Sequence, residues 1–350
     1  DLEYGGKTQK PRYPHRQRRT PDGIRRLHRT AASLGSIETD AYGLEYQPSS
    51  TSNFTLQGIC PQKNESTFYH LQYLNPESIM SVNHYENFPV GSLVMPRRLR
   101  KPTHAVYAFA RTADDLADEG NAEADERLRA LDELKSELDR IQRGETPLTP
   151  LMQRLQREAI APFKLPLQPF YDLLSAFSQD VVKTRYQDFG DLIDYCRRSA
   201  NPVGRIMLHL YGQTDEVSIA QSDGICTALQ LINFWQDVAV DWQKGRVYIP
   251  QDDLQKFNVS ETQIAEGKAD FAFQRLMAYE CNRAFQMLKG GSPLGKALKG
   301  RLGFELRMII VGGQLILQKL DGSKYDVFTQ RPVLDKKDWL IILKRAFLKK

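Results

Sequence analysis

An all-α fold, built as a single helical bundle over residues 81–350, is what the sequence predicts. Three observations predict it. Apolar residues recur at helical spacing in one segment after another. Several of these segments stop at a glycine, as at Gly120 and Gly144. No alternating β-branched run with hairpin punctuation survives anywhere after residue 80. In chain order, THAVYAFARTADDLADEG (103–120) keeps its apolar residues on one face. ADERLRALDELKSELDRIQRG (124–144) is strongly charged, and its charges are expected to form a solvated face. The same periodicity carries through 148–160, 168–184, 188–199, 203–212, 217–242, 269–289, 294–319 and 335–347. No repeat of solenoid period is present.

Residues 1–80 differ in composition. They are rich in Arg, Pro, Ser, Thr, Gln and Tyr and sustain no apolar period, so a loose N-terminal extension without a packed core is expected there. The net charge of +5 belongs to this segment: residues 1–30 hold nine Lys/Arg against Asp1, Glu3 and Asp22. The remaining chain is slightly acidic, which argues against a nucleic-acid surface on the bundle. Cys60, Cys196, Cys226 and Cys281 are scattered without a C-x-x-C pair, as in a reduced, cytoplasmic protein. No run approaches the length of a membrane span. The closing WLIILKRAFLKK (339–350) is amphipathic and basic; it is expected to cap the bundle, with peripheral contact to a membrane surface as the alternative.

The chemistry lies in two acidic stripes. Tyr107, Arg111, Asp114 and Asp118 share one face of the first helix, and Asn233, Asp237 and Asp241 share one face of the helix over 217–242. Both helices are apolar around most of the rest of their circumference, so the stripes face either solvent or a polar cavity. Facing each other, they bring four carboxylates together, and their repulsion calls for a cation. An all-oxygen donor set suits Mg²⁺, which keeps several waters and bridges carboxylates to a substrate phosphate. A diphosphate is then the other half of the site. Arg111 and Arg246 stand where guanidinium forks meet phosphate oxygens, while Lys183 and Arg185 end another helix. Loss of diphosphate from an allylic or cyclopropylcarbinyl carbon leaves a carbocation, and the faces of Tyr107, Tyr195, Phe234 and Tyr248 are candidates to stabilise it.

These residues resemble the squalene/phytoene synthase family. The resemblance covers about 81–345 and rests on HYENF (84–88), LVMPRRLR (93–100), YAFARTADDLAD (107–118), YCRRSANPVGR (195–205) and NFWQDVAVDWQKGRVYIP (233–250), in that order. It implies the isoprenoid-synthase type of helical bundle with a central cavity. It also implies that Asp114, Asp118, Asp237 and Asp241 hold Mg²⁺ against diphosphate. Tyr107, Arg111, Asn233 and Arg246 match family positions around the phosphates, His84 and Phe88 match its entry motif, and Tyr195 and Tyr248 match residues lining the reacting cavity. Within the family, HYENFPVGSLVMPRRLR and YCRRSANPVGR look most like the hydroxysqualene-forming members. The implied reaction takes presqualene diphosphate and water to hydroxysqualene and diphosphate, without a reductant. Many family members carry a basic residue just before the second acidic motif, where this chain has Gln236. A neutral amide there is expected to remove one charge from the phosphate site, as suits an enzyme holding one diphosphate.

Three other readings compete. DDLAD (114–118) also fits the acidic motif of chain-elongating prenyl diphosphate synthases, but QDVAVD followed by GRVYIP does not fit their second motif. A sister reaction, head-to-head condensation of two farnesyl diphosphates to presqualene diphosphate or squalene, remains the alternative. A scaffold whose acidic stripes bind a basic partner is the non-enzymatic one.

Overall fold

The computed structural model describes residues 95–348. The extension expected over 1–80 and the roles expected of His84 and Phe88 lie outside the described residues.

Helix α1 (Arg97–Asp118) starts earlier than its pattern suggests and runs through Pro102. An interior proline costs a helix about 3 kcal/mol. Here the ring is buried beside Thr103, and Leu99, Ala105, Val106, Phe109 and Ala113 bury the same helix, so packing overrides the local preference. Helix α2 (Ala124–Gln142) buries Leu131, Leu134 and Leu138 and exposes most of its charges. Glu137 departs from the expected solvated face: it is buried, and its carboxylate accepts the backbone N–H groups of Leu148 (2.6 Å) and Thr149 (3.0 Å). Thr149 in turn caps α3 (Pro150–Leu155), which continues through a π-helical stretch, Gln156–Ile160.

Helix α4 (Gln168–Val182) packs on α1 and α2, with Phe170 edge-on to Phe109 at 5.4 Å. Helices α5 (Phe189–Ser199) and α6 (Asn201–Tyr211) lead to the long α7 (Glu216–Gln243). Short helices α8 (Gln251–Phe257) and α9 (Glu261–Ala265) follow; neither spans enough turns to show a period in the sequence. Then come α10 (Phe271–Gly291), α11 (Pro293–Ala297), α12 (Gly300–Gly322) and α13 (Lys336–Phe347). The single pattern over 294–319 is thus two helices, broken where Gly300 takes φ +66°. Asp188, Asp215, Ser260, Asp270 and Asp335 each cap a helix by accepting a backbone N–H from its first turn.

The core has two principal parts. One joins α1 to α4 with Ile206 and Leu210 of α6; the other gathers Tyr195, Trp235, Phe273, Leu276 and Leu288 around α7 and α10. The only bridge of β type among the described residues is parallel, between Arg185 and Val247, with the Val247 amide donating to the Thr184 carbonyl at 3.0 Å. It holds the turn after α7 against the chain leaving α4.

Helices α7 and α10 approach closely at Gly291, where an added Cβ would stand 2.5 Å from the Gln221 carbonyl oxygen. Gly290 beside it faces open space. Gly291→Ala should therefore lower unfolding free energy by roughly 1–3 kcal/mol. Gly290→Ala should leave it unchanged or raise it by up to about 1 kcal/mol. Urea unfolding of the two variants side by side tests this, and equal losses would contradict the close approach.

Candidate active site

Two helix ends build the site. The second half of α1 carries Tyr107, Arg111, Asp114 and Asp118; the second half of α7 carries Asn233, Asp237 and Asp241. After α7 the chain turns at Gly245, φ +74°, and the Arg246 amide donates to the Asp241 carbonyl at 2.9 Å. A left-handed residue just past a helix end suits glycine, which has no Cβ to strain. This turn aims Arg246 at Asp118, whose two oxygens accept from Nη1 at 2.9 Å and Nη2 at 2.5 Å. Residues 128 positions apart are thereby joined, and the two stripes meet.

Three of the four stripe carboxylates, Asp114, Asp118 and Asp237, are met by arginine. Asp114 pairs with Arg111 at 3.0 Å, and Arg111 also reaches Asp115 and Glu119 at 2.6 and 2.7 Å. Asp237 accepts a two-pronged contact from Arg331, through Nε and, at 3.1 Å, Nη2. Lys244 at the end of α7 acts electrostatically on Asp114, Asp118 and Asp241 alike. Guanidinium groups thus supply much of the compensating charge that the sequence left to a metal. Among the described residues, no three His, Cys, Asp or Glu side chains stand together closely enough to hold one ion.

The donors nonetheless fit Mg²⁺. Each stripe offers two carboxylates one helical turn apart, and Mg²⁺ needs only one or two, completed by waters and phosphate oxygens. Titration points the same way. Burial pushes the Asp114 carboxyl up to about 6, against the pull of Arg111. Burial and the neighbouring Asp237 push Asp241 up to about 7. Burial acts to raise Asp118 as well, but the hydrogen bonds and charge of Arg246 hold it below the usual carboxylate range. Carboxylates raised by burial and by each other gain most from an added cation.

Beside the charges lies an aromatic box. Phe234 and Tyr248 stack at 3.7 Å between centroids, Tyr186 stacks on Tyr248 at 5.6 Å, and Tyr195 stands 5.4 Å from Tyr186. All four rings are buried. Burial raises the Tyr195 and Tyr248 phenols well above their usual range, so both stay protonated. A narrow recess of about 10 Å³, room for one water at most, is bounded by Phe234, Val238, Asp241, Arg246 and Tyr248.

Other expectations fall out differently. Tyr107 is half-buried and near enough to Arg111 to act on its charge; Asn233 is exposed on its stripe. Lys183 and Arg185 are engaged by Asp191 and Glu261. Gln236 sits differently from its neighbours on the stripe. It is 1% exposed, and its amide donates to the Pro332 carbonyl at 2.6 Å. Through this bond Gln236 helps hold the segment before α13. That same segment brings in Arg331, one residue before Pro332.

Sequence reasoning missed Arg331, Lys244, Tyr186 and Asp180. Arg331 sits in an aperiodic stretch that carries no signal. Asp180 had one: an acid in the last turn of a helix opposes the helix dipole. Its Oδ2 accepts the Tyr195 hydroxyl at 2.8 Å, its Oδ1 is buried without a hydrogen-bond partner, and its carbonyl accepts from Arg246 at 3.3 Å. Burial pushes its carboxyl up to about 7, with the Tyr195 bond opposing.

Comparison with known proteins gives a consistent result. Residues 82–338 match the profile of the squalene/phytoene synthase family. A hydroxysqualene synthase of Rhodopseudomonas palustris is 38% identical over 237 residues, which are 67% of this chain and 79% of that protein. The crystal structure of a squalene synthase from Alicyclobacillus acidocaldarius is 40% identical and superposes with a TM-score of 0.64, covering 69% of this chain and 90% of that one. A phytoene synthase of Arthrospira platensis is 28% identical over 72% of this chain and 85% of its own length.

Two predictions follow from Asp180 and Gln236. A carboxyl raised on folding stabilises the protein fully below its unfolded range, near pH 4, and that contribution is lost as pH rises through about 7. Asp180→Asn should therefore gain more in thermal midpoint over the unmodified protein near pH 8 than near pH 5, read by scanning calorimetry; a gain independent of pH would contradict the burial. Gln236→Leu leaves the Pro332 carbonyl without this donor and should cost about 1–3 kcal/mol in denaturant unfolding.

Proposed function

The chain belongs to the squalene/phytoene synthase family, and from that premise we propose that it converts presqualene diphosphate and water to hydroxysqualene and diphosphate. It is an enzyme of that family, and the family binds isoprenoid diphosphates. One observation carries the reading of the chemistry: Asp241 and Arg246 border the same recess as Phe234 and Tyr248. Groups suited to a departing diphosphate and groups suited to the carbocation it leaves are side by side. Identity to a hydroxysqualene synthase supports the finer assignment.

In this reading Arg111, Arg246 and Arg331 exchange carboxylate oxygens for phosphate oxygens, since the planar fork that grips Asp118 or Asp237 matches phosphate equally well. Asp114 with Asp118, and Asp237 with Asp241, would hold Mg²⁺, which when bound neutralises charge on the leaving diphosphate. The carbon–oxygen bond breaks with its electron pair going to diphosphate. Tyr186, Tyr195, Phe234 and Tyr248 would form the aromatic wall beside the cation, and each ring face that opens toward it as the substrate enters would stabilise it by about 0.5–2 kcal/mol. Their phenols remain neutral, so they offer no phenolate to trap the cation. The close-packed box excludes bulk water until the cyclopropylcarbinyl cation has rearranged and opened. Asp180, with a buried oxygen free of hydrogen bonds, is placed to hold the capturing water and take its proton.

Head-to-head condensation of farnesyl diphosphates is the second reading, favoured by similarity to the squalene synthase structure. We place the protein in the cytoplasm, peripheral to the inner face of the membrane; among the described residues no helix is long and apolar enough to cross one.

Presqualene, farnesyl and geranylgeranyl diphosphates, each incubated with and without Mg²⁺ and analysed by mass spectrometry, separate the readings. Hydroxysqualene should form from presqualene diphosphate only when Mg²⁺ is present. Asp114→Asn and Asp237→Asn should each lower that turnover by roughly a hundredfold or more. Presqualene diphosphate arising from farnesyl diphosphate would favour the second reading, and full turnover by the Asn variants would remove the metal role assigned to these residues.

A further inference from the structure

Among the described residues, helix α13 presents an exposed face of unusual composition. Leu340, Ile341, Leu343, Phe347 and the following Leu348 are all exposed, Leu340 at 69% and Phe347 at 78%. They are the densest concentration of exposed large apolar side chains among the described residues. Lys336, Lys337 and Lys344 rise from the same arc of the helix and are exposed too. No free acid shares that arc: Asp338 is buried and paired with Lys319 at 2.6 Å, and Asp335 caps the helix.

The helix is not able to roll this face inward. Its opposite side is committed to α12, where Ile342 and Trp339 pack on Met308, Val311 and Leu315. Arg307 of α12 donates to the Ala346 carbonyl and to the Gly295 carbonyl, both at 2.7 Å. That contact sets the end of α13 beside the end of α11, where Lys296, Lys299 and Arg301 are exposed. A mixed arc of large apolar side chains and lysines, flanked by more basic residues, is the composition of a helix lying in a lipid interface: the apolar chains enter the acyl boundary and the lysines snorkel to headgroup phosphates.

We propose that the exposed face of α13 docks on an anionic lipid bilayer. Charge complementarity selects this occupant, because the apolar side chains are interleaved with cations and the exposed acid at the helix's N-terminal cap, Asp335, lies off their arc. The segment leading into α13 is the one that carries Arg331 to Asp237 and is held by Gln236 through Pro332. The membrane-facing helix is thereby joined to the candidate active site through residues 331–335. The inference rests on the surface alone, not on the choice of isoprenoid substrate.

Flotation of the purified full chain with phosphatidylcholine vesicles, with or without phosphatidylglycerol, tests the proposal without any turnover measurement. The protein should float with the phosphatidylglycerol vesicles, remain behind with phosphatidylcholine alone, and be released by salt. Lys337→Glu with Lys344→Glu should lower the partition about tenfold or more. Leu340→Ser with Phe347→Ser should lower it comparably; these positions are exposed, and thermal unfolding checks that each variant is folded. A wild-type chain that ignores the anionic vesicles overturns the proposal, as do variants that float as well as wild type. So does a Ser variant that converts a dimer to a monomer in sedimentation while leaving vesicle binding unaltered, since the face is then a contact between copies.

Discussion

The fork between Arg246 and Asp118 is the contact on which the rest of the site depends. Two rows of acids on separate helices repel each other, and any structure that brings them together has to place positive charge between them. Arg246 does so from a position fixed three ways: the turn at Gly245, the hydrogen bond from the Val247 amide to the Thr184 carbonyl, and the bond to the Asp180 carbonyl. Arg331 and Arg111 repeat the device on Asp237 and Asp114. The resting site is therefore balanced by its own guanidinium groups. In the proposed reading, metal and phosphate would bring opposite charges to the site, and the arginines would transfer to phosphate while the carboxylates held the metal, with little change in net charge.

Charge and grease meet at one edge. Asp241 and Asp180 are driven toward neutrality by burial, and both adjoin the aromatic box: Asp241 borders a recess with Phe234 and Tyr248, and Asp180 accepts the Tyr195 hydroxyl. Such an arrangement destabilises the folded chain at neutral pH relative to a wholly apolar core. It suits the proposed reading, in which the site would stabilise a cation in a dry space beside a polyanion. Gln236 shows how narrow the division is: one residue before Asp237 on the same helix, it lies fully inside the core and serves the backbone of a distant loop.

Much of the fold was legible because it is written in periodicity. The long helices α1, α2, α4, α7, α10 and α12 announce themselves by apolar spacing, and both acidic stripes follow from the same 3.6-residue repeat. The short helices α8 and α9 do not, since one or two turns hold too few residues to establish a period. Pro102 hid the start of α1 because local preference was outweighed by burial. Among site residues, Asp180 and Arg331 were hidden for different reasons: one is a single acid with no partner on its own helix, the other lies where the chain has no period at all.

The sequence by itself determined the helices, the acids on each helix face and the aromatic residues near them, since these depend only on neighbours a few positions away. Tertiary structure alone decided which arginine meets which carboxylate, that Gln236 turns inward, and that Asp180 stands within the aromatic box. The contacts of Arg246, Arg331 and Gln236 join residues about ninety or more positions apart, and that of Asp180 crosses from one helix to the next. They are chosen by packing and by the cost of leaving a buried charge unmatched, and no local pattern in the chain encodes either.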